Sequence, residues 1–317
     1  MRLFGVTMVR NEADVIEAFV RHNLGILDGL AVVDHGSIDG TSEILARLQA
    51  EGLPLSVERK LDAAFRQSDT ITALAREALA RDSADFVFAL DGDEFLKVPS
   101  RATLERALED VPADTHAVLH WRTYVPDVFD DSSVPFGRGH LWWRVKNEPS
   151  PLYKVAVGRS LLDRPKDRVA LGNHLVETDA ATPPRPHARL RGDVATLAHC
   201  PVRSRDQLLG KIVIGHLAYL MTQPTDRRFA RHWAEHYEAF MAGATFDEAR
   251  LREIACNYGV RPKSWRPVED VELVEDPVEL NVEQRYGGEA IKDPLRQLAH
   301  FTEALLAAAY PTQYHKL

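Results

Sequence analysis

The chain has 317 residues, enough for one large domain or for one domain with an extension. Its 45% hydrophobic and 27% charged residues are typical of a globular protein with an apolar core. The 47 acidic residues exceed the 39 basic ones, and the net charge of -8 argues against a broad nucleic-acid-binding surface.

Two cysteines, Cys200 and Cys256, stand far apart and form no CxxC motif. This pattern indicates a reducing compartment and no cysteine-based metal site. The opening residues lack the features of a signal peptide, and no apolar run is long enough to span a bilayer. We therefore expect a cytoplasmic protein without a transmembrane segment.

The first part of the chain alternates strand and helix patterns. Near-continuous apolar runs predict buried strands, and apolar residues at helical spacing predict amphipathic helices between them. Asn11, Thr41 and Ser100 are the predicted N-caps. The predicted strands are 2–9, 29–34, 53–60, 85–90 and 116–125, and the helices are 12–27, 42–52, 68–83 and 101–111. This order predicts an α/β fold with a mostly parallel sheet flanked by helices.

From about Pro126 the pattern changes to loop-rich sequence, followed by helices. Residues 152–162 and 169–176 read as strands, and helical periodicity then dominates up to the end of the chain. The predicted division is an α/β domain at 1–204 and a helical C-terminal extension at 205–317. The last helix could contact a membrane or a second subunit, but docking onto the domain is favoured because its polar face lacks a basic cluster.

The stretch FVFALDGDEFL delivers three carboxylates directly after a buried strand. In parallel sheets ligands bind at the carboxyl ends of strands. Asp91 and Asp93, separated by Gly92, are hard oxygen ligands that suit Mg²⁺ or Mn²⁺ with positions left for a diphosphate. A solvated acidic turn is the alternative. The EF-hand, Walker A and dinucleotide-binding glycine patterns are all absent.

Two longer segments carry a family resemblance: MVRNEADVIEAFVRHNLGILDGLAVVDHGSIDGT and ADFVFALDGDEFL. Together they resemble the nucleotide-sugar-dependent glycosyltransferases of the GT-A fold, family 2 type, over roughly the first hundred residues. The resemblance implies a GT-A (Rossmann-like) sheet, a nucleoside diphosphate sugar donor with UDP favoured, a divalent metal (Mn or Mg), and a glycan or other hydroxyl acceptor.

The resemblance also implies roles for individual residues. Asp93 would contact the metal, Asp91 would contact the ribose, the metal or metal-bound water, and Glu94 would support the catalytic site. The remaining implied residues line the nucleotide pocket or contact base and ribose: Val9, Arg10, Asn11, Glu12, Asp34, Ser37, Asp39, Gln67 and Asp69.

Transfer of a sugar from a nucleoside diphosphate requires a further metal ligand and cations that bind the phosphates. Imidazole is a reasonable additional metal ligand, and His174 and His199 are the candidates, with hydrogen-bonded structural histidines as the alternative. Cations must hold phosphate oxygens, and the candidates are Lys154, Arg203 and Lys211.

The catalytic base is the least determined group. Glu177 and Asp179 are available carboxylates, with an exposed acidic loop as the alternative, and neither aligns with a base motif. The resemblance implies inversion of the anomeric centre, but without an assigned base the stereochemistry stays open.

The sequence thus predicts a metal-dependent glycosyltransferase. The alternatives are a non-catalytic nucleotide- or glycan-binding module on the same fold, a sugar-phosphate nucleotidyltransferase, and a metal-dependent hydrolase. No nucleic-acid partner is expected.

Overall fold

The computed structural model describes residues 1–62, 64–129, 136–137, 139–178, 186–222, 231–280, 283–286 and 293–309. The strands are β1 Leu3–Val9, β2 Gly29–Asp34, β3 Leu55–Arg59, β4 Phe86–Ala89, β5 Glu94–Lys97, β6 His116–Thr123, β7 Trp143–Val145, β8 Tyr153–Gly158, β9 Arg168–Val169, β10 Val176–Glu177, β11 His187–Arg189, β12 Thr196–His199 and β13 Leu273–Glu275. The helices are α1 Ile16–Leu24, α2 Thr41–Ala50, α3 Gln67–Ala80, α4 Arg101–Glu109, α5 Arg205–Leu220, α6 Arg231–Met241, α7 Glu248–Cys256 and α8 Pro294–Ala309.

A central sheet of nine strands, as far as the described residues show, organises the molecule. Its order is β3-β2-β1-β4-β8-β6-β12-β5. Strand β11 pairs with the first residues of β6, and β12 pairs with the following residues of β6. Strands β1 to β4 are mutually parallel, whereas β8 and β5 run against their neighbours. The sheet is therefore mostly parallel, and the predicted α/β class is confirmed.

Strands β1, β4, β6 and β8 contribute to two apolar cores, one on each face of the sheet. Along β4, Phe86 and Phe88 belong to the core that contains α1 and α2, while Val87 and Ala89 belong to the core that contains α3. Alternate side chains of a strand point to opposite faces, so helices on both sides require both sets to be apolar. This explains why the strand appears in the sequence as an unbroken apolar run.

Three local predictions were wrong. Asn11 does not cap α1, which begins at Ile16; its backbone is left-handed (φ 55°), and its side-chain oxygen accepts a hydrogen bond from Ile38 N at 3.0 Å. Residues 169–176 do not form one strand. Left-handed backbone at Gly172 and Asn173 folds the chain back, and Val176 pairs with Val169.

At the second helix, Thr41 is the first helical residue and Gly40 is the N-cap, whereas the Ser100 cap is confirmed.

The C-terminal helices pack around α5. Helices α6 and α8 both contact it, and α7 joins a separate apolar cluster that also contains residues of α5. Within the described residues, no helix combines the length and the apolar character needed to cross a membrane.

Candidate active site

The carboxyl ends of β1, β4, β6 and β12 come together at one edge of the sheet. The register of β12 places His199 opposite Thr123 of β6 and opposite Glu94 of β5. The backbone N–H of Cys200 donates to the carbonyl oxygen of Asp93 at 3.1 Å. Residues more than 100 positions apart are thereby brought to the turn that follows β4.

A cavity of about 430 Å³ opens at this edge. Its walls come from the sheet and from the C-terminal helices alike. Of the residues predicted from the sequence, those that line it are Val9, Arg10, Asn11, Glu12, Gln67, Asp91, Asp93, Lys154, His174, His199 and Lys211. The structure therefore brings most of the predicted residues to one cavity.

Asp93 is buried at the centre of the charged end of the cavity. Lys211 Nζ lies 2.6 Å from its Oδ2, Arg203 Nη1 lies 3.5 Å from the same oxygen, and His199 Nε2 lies 3.4 Å from Oδ1. Burial alone would raise the pKa of Asp93, but Lys211, His199 and Arg203 hold it well below its usual range. Asp93 is therefore ionised throughout the neutral range.

Asp91 and Glu94 share the ammonium group of Lys154. Lys154 pairs with Asp91 Oδ2 and lies 3.0 Å from Glu94 Oε1. The other oxygen of Asp91 accepts hydrogen bonds from Gln67 Nε2 and Asn173 Nδ2, both at 3.0 Å, and Glu94 Oε2 accepts from Asp91 N at 2.8 Å. The side chain of Asp91 is 30% exposed, whereas Glu94 and Lys154 are buried beneath it.

Arg203 ties the loop after β1 to the carboxylate turn. Its Nε donates to Asp14 Oδ2 at 2.7 Å, its Nη2 pairs with Glu12, and its Nη1 donates to the Cys200 carbonyl oxygen at 3.2 Å. The side chain is only 1% exposed. Arg203 does not line the cavity, so it lies behind the site and holds Glu12 and Asp93 rather than facing a ligand.

These contacts form two ion-pair clusters in the described part of the chain. Lys154 pairs with Asp91 and Glu94, whereas Arg203 and Lys211 together pair with Glu12, Asp14 and Asp93. With every group ionised, the carboxylates exceed the cations by two charges.

Burial, opposed by Arg203 and Lys211, raises the pKa of Glu12 to about 7. Burial, opposed by Lys154, raises the pKa of Glu94 to about 8. Because burial outweighs the neighbouring cations at both groups, the protonated forms of Glu12 and Glu94 are favoured.

Among the described residues, no three His, Cys, Asp or Glu side chains converge as a ready metal site. The donors that fit a divalent ion are Asp93 and His199. His199 Nε2 faces Asp93 Oδ1 at 3.4 Å, and the buried Nδ1 of His199 lacks a hydrogen-bond partner within the described residues. Burial lowers the pKa of His199 against the opposing effect of Asp93, leaving the neutral imidazole that binds metals. A carboxylate oxygen with an imidazole suits Mn²⁺.

Aromatic rings form the floor beside the carboxylates. Trp121 meets His199 edge-on, with 4.1 Å between ring centroids, and lies parallel to His174 at 6.0 Å. His174 Nδ1 is 2.8 Å from the Tyr153 carbonyl oxygen, and burial and Lys154 lower the pKa of this histidine to about 4. Both predicted histidines therefore lie in the cavity wall as neutral imidazoles.

Asp34, Ser37 and Asp39 shape the loop after β2 and do not line the cavity. Asp34 Oδ1 accepts from Ser37 N at 2.9 Å, and Asp39 accepts from the backbone N–H groups of Ala13 and Thr41 at 2.9 and 3.0 Å. Because all three are buried, their contacts order the backbone that carries Asn11 and Glu12.

Two further predicted residues lie away from the cavity lining. Asp69 is exposed and pairs with Arg168 at 3.1 Å, and Glu177 is exposed on β10. Asp179 lies outside the described residues.

The sequence reasoning missed residues that contribute to the site. Asn173 binds Asp91, and Tyr258, Trp233 and Gln297 line the cavity. Asn173 stands next to His174 in a GNH triplet and could have been suspected there. The other three carry no motif, and only the folded chain brings them to the cavity.

No family model matches the chain, and no curated protein matches it. Among solved structures, it is similar to the mannosyltransferase PcManGT from Pyrobaculum calidifontis in complex with GDP-Man and Mn²⁺, at 17% identity over 79% of this chain and 78% of that one, with a TM-score of 0.40. It is also similar to residues 1–349 of S. aureus TarS, at 14% identity over 81% and 70% of the chains, with a TM-score of 0.36.

A third similar structure is glucosyl-3-phosphoglycerate synthase from Mycobacterium tuberculosis with Mn²⁺, UDP and glucosyl-3-phosphoglycerate. The identity is 23% over 38% and 43% of the two chains, and the TM-score is 0.25. All three TM-scores are below 0.5, so these similarities carry no argument about function.

Proposed function

We propose that the protein is a metal-dependent glycosyltransferase that moves a sugar from a nucleoside diphosphate sugar to a hydroxyl acceptor. The observation that carries this proposal is the convergence of Asp91, Asp93, His199 and Lys211 at one end of the cavity. A divalent cation beside Asp93 would be attracted by these carboxylates and would in turn attract a diphosphate. Mn²⁺ would suit the carboxylate and imidazole donors together, whereas Mg²⁺ would suit the carboxylate oxygens alone.

In this proposal each residue of the site has a separate role. A bound divalent ion would supply Lewis-acid stabilisation of the departing diphosphate. Asp93 and His199 would hold that ion, and Asp91 would orient the donor from the position set by Lys154, Gln67 and Asn173. Lys211, which lines the cavity, would donate to phosphate oxygens.

The donor's nucleotide and the acceptor are proposed more broadly. UDP is favoured by the sequence resemblance alone, and the acceptor is a glycan or another hydroxyl compound. The exposed position of Glu177 on β10, outside the cavity lining, leaves the catalytic base unassigned.

The first experiment is a thermal unfolding series with UDP, GDP, dTDP and CMP, each with Mn²⁺ or with EDTA. A ligand that binds only the native state stabilises it by mass action, by about 2.7 kcal/mol at a concentration of 100 Kd. We expect one nucleoside diphosphate to raise the Tm in the presence of Mn²⁺ and to lose that effect with EDTA. A folded protein whose Tm no nucleotide shifts would contradict the proposal.

Turnover then separates the remaining classes of protein. We expect release of the free nucleoside diphosphate from its sugar conjugate to depend on an added glycan acceptor. Binding without turnover would indicate a non-catalytic module, and release of free sugar without an acceptor would indicate a hydrolase. Release of inorganic diphosphate from a nucleoside triphosphate and a sugar phosphate would indicate a nucleotidyltransferase.

A further inference from the structure

One face of α5 forms a wall of the cavity. Six of its residues line the cavity at the spacing of a single helical face: Gln207, Gly210, Lys211, Ile214, Gly215 and Ala218. Lys211 reaches the charged end, 2.6 Å from Asp93. Gly215 stands four residues further on, about 6 Å along the helix axis. The wall therefore leads from the carboxylates towards a second end of the cavity.

That second end is aromatic. A Cβ atom at Gly215 would lie 3.2 Å from ring atoms of Trp233, so the indole packs directly against the α5 backbone. Phe65 meets the same indole edge-on, with 5.3 Å between ring centroids. Gly215, Trp233 and Phe65 all line the cavity. The indole is thus packed against α5 at Gly215, about one helical turn along α5 from Lys211.

Polar groups border this aromatic end. Arg10 and His35, which follow β1 and β2, line the cavity, and Arg10 lies 5.3 Å above the ring of Phe301 from α8. Gln297, also from α8, approaches Gly210 so closely that a Cβ there would lie 2.5 Å from its Oε1. The aromatic end of the cavity therefore combines an aromatic surface with the amide group of Gln297 and the guanidinium group of Arg10.

The two glycines of α5 are unfavourable for the helix itself. Glycine inside a helix lowers the stability of the helix relative to alanine. Here each glycine admits a cavity-lining side chain of another helix, Gln297 at position 210 and Trp233 at position 215. The close approach of α6 and α8 to α5 therefore builds the cavity wall at the expense of local helix stability.

We propose that the aromatic end is a nucleobase subsite, where the base of a nucleoside diphosphate stacks on Trp233 while its phosphates lie at Lys211. Nucleobases stack on aromatic side chains, and their edges hydrogen-bond to amide and guanidinium groups. Base and phosphates are separated by a ribose, and the two ends are separated by one helical turn. The assignment rests on the proposed function and adds the C-terminal helices to the nucleotide pocket.

The test compares two ligands that differ in the base. Titration calorimetry with Mn²⁺ measures Kd for the nucleoside diphosphate that stabilises the wild type and for inorganic diphosphate, in wild type, Trp233→Ala and Trp233→Phe. We expect Trp233→Ala to weaken nucleotide binding about tenfold or more while the Kd for inorganic diphosphate stays unchanged. Trp233→Phe retains an aromatic face and should recover most of the nucleotide affinity.

Fluorescence provides a second readout. We expect the nucleotide to quench tryptophan emission in the wild type and in the control Trp265→Phe, whose indole does not line the cavity, but much less in Trp233→Phe. An unchanged nucleotide Kd in Trp233→Ala would overturn the subsite. Equal weakening of both ligands, or an increase only in the KM for the acceptor, would overturn it too.

These outcomes are distinguishable from failure of the proposed function. If the wild type transfers sugar but Trp233→Ala binds the nucleotide normally, only the subsite is wrong. If the wild type binds no nucleoside diphosphate, both proposals are wrong.

Discussion

The two ends of the cavity are built in different ways. The charged end is a network of buried ion pairs carried by the strand ends, the loop after β1 and α5, with Asp93 and Lys154 each 1% exposed. The aromatic end is built by packing, where Trp233 rests on Gly215 and Gln297 approaches Gly210. The first depends on particular charged groups, and the second depends on how closely helices approach each other.

The difference determines how each end should respond to substitution. Removing one partner of a buried ion pair leaves an uncompensated charge, which is costly. Changing a packed surface alters shape and stacking by smaller amounts. Substitutions at the charged end should therefore affect metal, phosphate and fold, whereas those at the aromatic end should affect nucleotide recognition alone.

The largest effect is expected for Asp93→Asn. The amide keeps the shape of the side chain but removes the charge that pairs with Lys211 and Arg203. If Asp93 holds a divalent ion, several kcal/mol of transition-state stabilisation are lost, and turnover should fall roughly 10³-fold. Release of nucleoside diphosphate measures turnover, and Mn²⁺ affinity should fall in parallel.

Asp193→Asn is the matched control, because Asp193 is an exposed aspartate that pairs with Arg191 and does not line the cavity. Turnover within a few-fold of wild type in Asp93→Asn would contradict a metal role for this carboxylate.

A large effect on stability is expected for Arg203→Met. Arg203 is buried and bridges Glu12, Asp14 and Asp93, so its removal leaves three carboxylates without that partner. Breaking a buried ion pair typically costs about 3–5 kcal/mol. Urea unfolding should show a loss of that order, whereas Arg191→Met at an exposed pair should cost less than about 1 kcal/mol. Equal losses in the two variants would contradict the bridging role.

An intermediate effect is expected for Lys211→Met. A charge-assisted hydrogen bond contributes about 1.5–3 kcal/mol, so loss of the ammonium group should weaken binding of inorganic diphosphate about 10- to 100-fold. Calorimetry in the presence of Mn²⁺ measures the Kd. The control is Lys263→Met, an exposed lysine outside the cavity lining. Trp233→Ala should leave this Kd unchanged, and if it does not, the two ends are not independent.

The smallest effect is expected for Gly210→Ala. The new methyl group would meet Gln297 Oε1 at 2.5 Å, and the flexible end of that side chain should move aside. The gain in helix propensity offsets part of the steric cost, so the free energy of unfolding should change by less than about 1 kcal/mol. We expect nucleotide Kd to rise only a few-fold, measured by calorimetry.

Gly192→Ala is the control, because its Cβ would meet no atom closer than 3.7 Å. An unchanged Kd in Gly210→Ala would show that Gln297 does not contribute to the subsite.

The local predictions succeeded where short-range rules decide. Ser100 caps α4 as expected, because its hydroxyl oxygen accepts a hydrogen bond at 3.2 Å from the backbone N–H of Thr103, the third residue of the helix. They failed where a distant partner decides. Asn11 bonds to Ile38 instead of starting a helix, and β5 exists only because β12, about 100 residues later, pairs with it.

The sequence by itself determined the α/β class and the strand that presents Asp91 and Asp93, because burial on both faces demands a recognisable apolar run. It also determined most residues of the charged end, since that chemistry requires particular side-chain types. Only the tertiary structure decided that Arg203 lies behind the carboxylates and that Trp233 and Gln297 join the cavity. The reason is physical: a packed wall is made by contacts between distant helices, and no local pattern encodes them.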